Sequence, residues 1–255
     1  MPVHDVAAAG FGAGADAYER ARPSYPPDAV AWLTRSLRLG PGRVLVDLAA
    51  GTGKLTRLLT PTGAWTLAVE PVAGMRRVLR AALPAVAVVA GTAEALPLAG
   101  GAVDAVTVAQ AFHWFDADAA FAELARVLRP GGRVGLVWNA RDRTVGWVDA
   151  LWSMMDRVER KAPWRDHERW SQSALGSRPG FGPLHTATFR HEQRVTPDGI
   201  LDRFASVSHV AALPDAERRA LLDEIAAVLA RHPDTAGRPE LAIPYRVDAY
   251  WCERR

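Results

Sequence analysis

The sequence predicts an α/β fold in which a mostly parallel β-sheet carries helices on both faces. Short apolar, β-branched segments alternate along the chain with segments of helical periodicity. A glycine-containing turn directly follows the first of these apolar segments. The composition, 49% hydrophobic and 23% charged over 255 residues, is typical of a globular chain with one core and an insert.

Hydrophobic periodicity and turn residues predict the strands and helices of the first half of the chain. Predicted strands are 43–48, 65–70, 85–90, 102–109 and 134–138, and the helices between and before them are 27–37, 53–59, 72–82 and 117–128. The last of these helices carries Phe121, Leu124 and Leu128 at i, i+3 and i+7, and Pro130-Gly131-Gly132 follows as its stop signal. Alternation of strands with helices of this length predicts parallel pairing.

The pattern changes after the fifth predicted strand. Residues 143–182 combine tryptophans and charges with a final Gly/Pro-rich stretch, and we interpret them as a helical cap over the carboxyl edge of the sheet; the tryptophans are Trp147, Trp152, Trp164 and Trp170. They could line a binding cavity, or they could simply pack the cap helices on the sheet. Predicted strands 184–193 and 241–251, separated by helices near 197–208 and 214–231, complete the chain.

A nucleotide-binding loop is predicted at the end of the first strand. Asp47 interrupts the apolar run, and Gly51 and Gly53 then allow a sharp turn that brings backbone N–H groups close to a ligand. The second strand ends in Glu70, 17 residues beyond Gly53, where a doubly wound fold places the carboxylate that binds ribose hydroxyls. Glycine pairs of this kind also occur without a cofactor, and Glu70 could instead be a solvated acid or part of a helix N-cap region.

The glycine pattern also indicates the kind of ligand. The full G-x-G-x-x-G motif of dinucleotide sites is absent, because position 49 is Ala and position 56 is Thr. A loop with few glycines and an upstream acid suits a less anionic ligand than a pyrophosphate. Such a ligand would offer an amine to Asp47 and ribose hydroxyls to Glu70.

Four segments together resemble the class I S-adenosylmethionine-dependent methyltransferases: Asp47-Leu-Ala-Ala-Gly-Thr-Gly53, Glu70, Gly91-Thr-Ala-Glu-Ala-Leu-Pro97 and Leu128-Arg-Pro-Gly-Gly-Arg-Val134. The likeness covers about residues 40–140. Within the family, the Tyr-x-x-x-Arg-Pro-x-Tyr-Pro segment from Tyr18 to Pro26 and the Gln-Ala-Phe-His-Trp-Phe segment from Gln110 to Phe115 are similar to the small-molecule group that includes trans-aconitate methyltransferase-like enzymes.

This resemblance implies a Rossmann-like, seven-stranded, mostly parallel sheet whose last strand is inserted antiparallel. We expect one methyltransferase domain over 1–255, made of an N-terminal lid with helices at 1–38, a cofactor-binding half at 40–142, the cap insert at 143–182 and C-terminal strands and helices at 183–255.

The resemblance also implies a cofactor site for S-adenosyl-L-methionine. Its predicted contacts are Tyr18, Arg22, Asp47, Ala49, Gly51, Gly53, Glu70, Pro71, Met75, Thr92, Ala93 and Gln110. Asp47 and the glycine backbone would hold the methionine moiety, Glu70 the ribose, and Thr92 with Ala93 the adenine. Met75 could cover the adenine or belong to the core.

Some of these positions carry an alternative or a departure from the family. Tyr18 and Arg22 would form a lid near the sulfonium, although Tyr18 could merely pack and Arg22 form a surface pair. Ala49 and Thr92 replace the glycine and aspartate usual in the family, which predicts weaker cofactor binding, because charge-assisted hydrogen bonds are about twice as strong as neutral ones.

Acceptor-side residues are expected at the ends of the fourth and fifth strands: His113, Trp114, Asn139 and Arg141. His113 could act as a general base, because histidine titrates near neutrality. It could instead be packed among its aromatic neighbours, since an ionised carboxylate acceptor needs no base and orientation alone supplies much of the rate.

Composition argues against several other classes of function. The formal charge of +3 is spread without a basic stripe, and there is no apolar stretch of membrane-spanning length. The N-terminus lacks a signal-peptide pattern, and the single Cys252 fits a reducing cytoplasm. Histidine spacing predicts no metal site. We therefore expect a cytoplasmic enzyme with a small-molecule substrate and without nucleic-acid or membrane partners, while the oligomeric state stays open.

The functional prediction is transfer of a methyl group from S-adenosylmethionine to a small molecule, most readily to a carboxylate or hydroxyl oxygen. Two alternatives stay open. One is nitrogen or carbon methylation with His113 as base, and the other is a cofactor-binding protein without turnover.

Overall fold

A seven-stranded sheet organises the chain in the computed structural model, which describes residues 19, 22–158, 178–211 and 213–255. The strands are β1 (Val44–Leu48), β2 (Trp65–Val69), β3 (Ala87–Val89), β4 (Val103–Ala109), β5 (Leu128–Arg141), β6 (His185–Val195) and β7 (Leu241–Glu253). Their order across the sheet is β3-β2-β1-β4-β5-β7-β6. The pairs from β3 to β5 are parallel, whereas β7 is antiparallel to both β5 and β6. The predicted fold class, with its inserted antiparallel strand, is confirmed.

The helices are α1 (Pro27–Ser36), α2 (Thr56–Leu59), α3 (Ala73–Ala82), α4 (Ala117–Val127), α5 (Gly146–Val158), α6 (Pro197–Ala205), α7 (Ser208–Ala211) and α8 (Asp215–Arg231). Local signals explain their starts. The Asp116 carboxylate accepts hydrogen bonds from the N–H groups of Asp118 and Ala119 at the beginning of α4. Thr196 caps α6 in the same way, by accepting from Gly199 N at 3.1 Å.

Two predicted boundaries are wrong, for identifiable reasons. The helix expected at 53–59 starts only at Thr56, because Gly53 adopts φ 86°, a left-handed conformation outside the helix. The strand expected at 134–138 spans Leu128–Arg141. Its early start reflects two sets of contacts: Leu128 pairs with Val103 of β4, while Gly131 N donates to Arg254 O and Arg254 N donates to Gly132 O.

Apolar residues fill both faces of the sheet. One cluster packs α4 against residues such as Val46, Val106 and Leu136, and another packs α1 against Leu45 and Val137 on the opposite face. Because neighbouring positions of a strand point to opposite faces, Leu45 and Val46 serve different clusters. This two-sided burial explains why the central strands are almost continuously apolar.

A further cluster forms beyond the carboxyl end of β5. Helix α5 packs there with α6, α8 and the first residues of β7, and its Trp147 and Trp152 are buried. Trp152 lies 4.9 Å from Phe204 between ring centroids. For these two tryptophans the structure supports the packing interpretation. Residues 159–177 of the predicted cap, which include Trp164 and Trp170, lie outside the described residues.

Candidate cofactor and acceptor site

The carboxyl ends of β1 and β4 lie side by side at the centre of the sheet. The strand order reverses between them, because β2 follows on one side of β1 and β4 lies on the other. This is the crevice in which open α/β sheets bind ligands. Both strands are followed by a non-glycine residue in the left-handed region, Ala49 at φ 53° and Gln110 at φ 57°. Such conformations cost about 1–2 kcal/mol each, and strained backbone of this kind clusters at functional sites.

Asp47 lies beneath the turn and not on its surface. Its carboxyl is 1% exposed and accepts hydrogen bonds from Thr56 Oγ1 at 2.5 Å and Thr107 Oγ1 at 2.8 Å. Burial raises its pKa to about 6, although the two threonine hydrogen bonds lower it. In this arrangement Asp47 fixes α2 and β4 against the turn, and the predicted contact with a methionine amine stays a prediction.

Glu70 fixes the opposite wall of the turn. Its Oε2 accepts from Gly51 N at 2.9 Å and its Oε1 accepts from Val72 N at 2.8 Å, just before α3. Burial raises the pKa of this carboxyl, and the hydrogen bonds and Arg76 lower it. Glu70 is 4% exposed, which excludes the solvated alternative, whereas its bond to Val72 fits the N-cap alternative. Its predicted contact with a ribose stays a prediction.

Gly51 and Gly53 are required for different reasons. A Cβ on Gly51 would meet nothing within 4 Å, so this glycine is needed for its φ of 59° and leaves open space beside the turn. A Cβ on Gly53 would lie 3.0 Å from Leu79 Cγ and 3.2 Å from Leu83 Cδ1, so Gly53 permits the close approach of α3. These are the two uses of glycine expected in a nucleotide-binding turn.

The loop after β3 is held by α4. Leu96 N donates to Glu123 Oε2 at 2.8 Å, and Arg126 donates to Leu96 O at 3.0 Å and to Leu98 O at 2.7 Å. This clamp fixes the predicted adenine segment with Thr92 and Ala93. The sequence analysis missed Glu123 and Arg126. The available signal was two oppositely charged residues at i and i+3 on one predicted helix.

Two further predicted cofactor residues border this region. Met75 is 3% exposed on the inner side of α3 with Leu79, which supports its core interpretation. Pro71 follows Glu70, and its carbonyl accepts from Arg76 Nη1 at 2.7 Å.

On the acceptor side, a short 3₁₀ turn at Phe112–Trp114 follows β4. Phe112 is fully buried and anchors the turn, with its ring 5.1 Å from Phe115 and 5.5 Å from Phe121. His113 and Trp114 are partly exposed beside it, with ring centroids 5.1 Å apart. His113 thus packs beside an aromatic neighbour without being fully buried, and its role as a base stays a prediction.

The end of β5 contributes Asn139 and Arg141 at the same edge of the sheet. Asn139 Nδ2 donates to Ser24 O at 3.0 Å, and the Arg141 guanidinium lies 4.9 Å from the Trp152 ring centroid. Arg203 from α6 approaches the same ring at 5.8 Å. The end of β5 thus brings a guanidinium group onto a buried aromatic ring.

The N-terminal segment reaches the turn through a residue that the sequence reasoning did not select. Glu19 Oε1 lies 2.8 Å from Arg57 Nη2, and its Oε2 accepts from the Thr52 hydroxyl and lies 3.5 Å from Lys54 Nζ. Arg22 is partly buried nearby in sequence, whereas Tyr18 lies outside the described residues. The Tyr-x-x-x-Arg-Pro pattern gave no indication that Glu19 would lie beside Lys54 and Arg57.

The donor set fits a cationic nucleoside cofactor. Two buried carboxyl groups, Asp47 and Glu70, flank a turn that has open space at Gly51, and the charge of Asp47 adds to the effect of burial in raising the pKa of Glu70. When ionised, carboxyl groups beside the turn would repel a pyrophosphate and attract a ligand that carries ammonium or sulfonium charge. The fold and this site together define an α/β enzyme that uses such a cofactor.

Comparison with known proteins supplies the family. The family described as a methyltransferase domain matches residues 46–136. An uncharacterised methyltransferase of Mycobacterium tuberculosis is 44% identical over 92% of this chain and 91% of its own length, and one from Schizosaccharomyces pombe is 35% identical over 93% and 92%. A solved methyltransferase structure from Anaeromyxobacter dehalogenans is 30% identical, with a TM-score of 0.66, and covers 91% of this chain and 96% of its own.

The chain belongs to the methyltransferase family and is a class I S-adenosylmethionine-dependent methyltransferase. The predicted enzyme class and cofactor are therefore confirmed. Among the residues that the structure describes, no helix is both long and apolar enough to cross a membrane.

Proposed function

We propose that this enzyme transfers the methyl group of S-adenosylmethionine to an oxygen of a small, anionic or weakly acidic molecule. The observation that carries this proposal is that two neighbouring strands end in aromatic and guanidinium side chains: His113 and Trp114 follow β4, and Arg141 ends β5. Guanidinium groups orient carboxylates, and aromatic faces hold planar or apolar parts of a ligand.

The cofactor supplies a methyl group already activated on a sulfonium. In the proposed reaction an ionised acceptor oxygen would form the new bond to the methyl carbon, and the carbon–sulfur bond would break with its electron pair left on sulfur. Asp47, Glu70 and the Gly51 turn would hold the cofactor, and the acceptor-side residues would align the oxygen and exclude water. Alignment of two bound reactants can supply about 7–11 kcal/mol of the barrier.

The experiment is a methyl-transfer assay with labelled S-adenosylmethionine against a panel of small carboxylic acids, phenols and amines. We expect turnover with a carboxylate or hydroxyl compound. Turnover confined to amines would overturn the choice of oxygen, and turnover with none of them would favour a cofactor-binding protein without catalysis. In parallel, calorimetry should show cofactor binding by the wild type that Glu70→Gln weakens.

A second candidate, nitrogen or carbon methylation with His113 as base, is favoured by the position of His113 on the partly exposed side of the 3₁₀ turn. His113→Ala separates the two. With an ionised carboxylate acceptor the kcat of His113→Ala should be close to that of the wild type, and the pH profiles of the two proteins should coincide. With an acceptor that must lose a proton, general-base removal costs about 10²–10⁴ in rate.

The same proposal includes a small-molecule acceptor and not a nucleic acid, supported by the modest formal charge of +3. It also includes a cytoplasmic location, supported by the single cysteine. The narrower similarity to trans-aconitate methyltransferase-like enzymes belongs to this proposal as well. It rests on the Tyr18–Pro26 and Gln110–Phe115 segments.

A further inference from the structure

The strand β6 forms one edge of the sheet. It pairs with β7 along the whole of His185–Val195 in a single register without a shift, and no other strand of the described residues lies on its far side. Proteins usually protect such an edge with a short strand, a proline, a bulge or charged side chains. β6 is 11 residues long and contains neither a proline nor a bulge, so its protection rests on charge alone.

Hydrogen bonds between β7 and β5 show which residues of β6 face outward. Asp142 N donates to Pro244 O at 3.0 Å, and Arg254 N donates to Gly132 O at 2.8 Å. Antiparallel strands bond through alternate residues, so the even-numbered residues of β7 bond to β5 and the odd-numbered ones bond to β6. The odd-numbered residues of β6 are their partners. The even-numbered residues of β6 therefore direct their backbone N–H and C=O groups away from β7: Thr186, Thr188, Arg190, Glu192 and Arg194.

The charged side chains of β6 belong to this outward set and are exposed. Arg194 pairs with Glu240 at 3.0 Å, whereas neither Arg190 nor Glu192 forms a side-chain hydrogen bond or ion pair within the described part of the chain. Across β7, Arg190 lies opposite Arg246, and like charges in that position are unfavourable. An acidic residue on the open side of Arg190 would therefore stabilise it.

We propose that β6 pairs antiparallel with β6 of a second copy of this chain, about a two-fold axis that passes through His191. In this register Arg190 of each copy faces Glu192 of the other. Thr188 likewise faces Arg194, and every such pair of outward residues can exchange two backbone hydrogen bonds. The charges that normally block an edge thus become complementary, as a symmetric interface between identical surfaces requires.

Other symmetric registers match less well. An axis through Arg190 or through Glu192 sets that residue opposite its own copy, and like charges directly opposite are destabilising. An axis through Gln193 pairs Glu192 with Arg194, but it limits the overlap to residues 191–195 of the strand. An axis through His191 allows the longer overlap of residues 187–195, so this register satisfies the most backbone groups.

The interface is small, and it leaves the cofactor crevice accessible. Stable interfaces bury about 1,200–2,000 Å² in total, more than one strand edge supplies, so we expect a reversible dimer with micromolar affinity. Because the two β6 strands run antiparallel, the carboxyl edges of the two sheets point in opposite directions. The methyl-transfer rate per protomer should therefore be independent of dimerisation, and the inference does not rest on the proposed function.

The first test is sedimentation velocity from about 1 to 100 µM protein, where the wild type should shift from monomer to dimer. Arg190→Glu and Glu192→Arg each place like charges opposite one another twice, and each should weaken dimerisation about tenfold. The charge-swapped double variant Arg190→Glu/Glu192→Arg restores opposite charges and should recover the affinity to within about threefold. Because it contains both substitutions, its recovery also excludes misfolding as the cause of the single effects.

The matched control is Asp223→Arg, which makes the same charge change as Glu192→Arg on the exposed side of α8. It should leave dimerisation unchanged. Amide hydrogen exchange gives a second readout: the N–H groups of Thr188, Arg190, Glu192 and Arg194 should exchange rapidly in dilute protein and more slowly as its concentration rises. The odd-numbered neighbours, already bonded to β7, should be protected at every concentration.

A wild type that stays monomeric over the whole concentration range would overturn the proposal. So would a dimer that neither charge reversal weakens, or one that the charge swap does not restore. Slow exchange of the outward N–H groups in the most dilute sample would show that another part of the same chain already covers this edge, and would also refute pairing with a second copy. Failure of the methyl-transfer panel leaves these results untouched, because no cofactor or acceptor takes part in them.

Discussion

Ala49 offers a direct test of strain in the cofactor turn. It adopts φ 53°, a conformation that costs an L-residue about 1–2 kcal/mol and costs glycine almost nothing. Ala49→Gly releases this strain but adds about 0.4–1 kcal/mol of backbone entropy to the unfolded chain. The net expectation is a stabilisation of about 0.5–1 kcal/mol, which corresponds to about 1–4 °C in Tm for a chain of this size.

The neighbouring alanine provides the control. Ala50 does not have a positive φ, so Ala50→Gly should add backbone entropy to the unfolded chain without releasing strain. We expect it to lower Tm by about 1–4 °C. The assay is thermal unfolding by calorimetry, with cofactor affinity measured on the same samples. An equal loss of Tm in both variants would refute the strain argument, because it would show that Ala49 is accommodated at no cost.

The remaining predictions concern the buried carboxyl groups and the loop clamp. Asp47 has its pKa raised to about 6 from 3.8, so ionised Asp47 disfavours the fold, and the wild type should gain stability relative to Asp47→Asn as pH falls from about 6 to 4. The difference in free energy of unfolding between the two proteins should change by at most about 3 kcal/mol, at about 1.36 kcal/mol per pKa unit. Urea titration at each pH measures this difference, and a difference that does not change with pH would contradict the prediction. Glu123→Gln should lower Tm by about 2–4 °C and weaken cofactor binding several-fold, because Leu96 N and Arg126 lose a charged acceptor. Arg126 lowers the pKa of Glu123, so this contribution is present above the ordinary carboxyl pKa and should disappear as pH falls below it.

The elements of the parallel half were predictable because each carries its own local signal. Val44–Leu48 and Val103–Ala109 are buried on both faces, and strands of this kind have nearly continuous apolar sequences. Boundaries failed where a distant segment decides them. The start of β5 at Leu128 depends on Arg254, which lies more than a hundred residues further along the chain, and no local pattern carries that information.

The site was predictable as a set of positions but not as a set of contacts. Motif spacing located Asp47 and Glu70 at the ends of the first two strands, yet it could not show that threonine hydroxyls and backbone N–H groups already occupy their oxygens. Glu123 and Glu19 were missed for a related reason. Both act through backbone or side-chain groups of other segments, and such partners are set by tertiary packing and not by sequence spacing.

These contacts give the cofactor turn its rigidity from three independent directions. Asp47 holds it from below through Thr56, Glu70 holds Gly51 from the side of β2, and Glu19 holds Thr52 from the N-terminal segment. The first two carboxyl groups are almost fully buried, so water competes little for their hydrogen bonds. Glu19 is the most exposed of the three, with a side chain 21% exposed, so its ion pairs are the most strongly screened by solvent and salt. The shape of the turn should therefore depend mainly on Asp47 and Glu70.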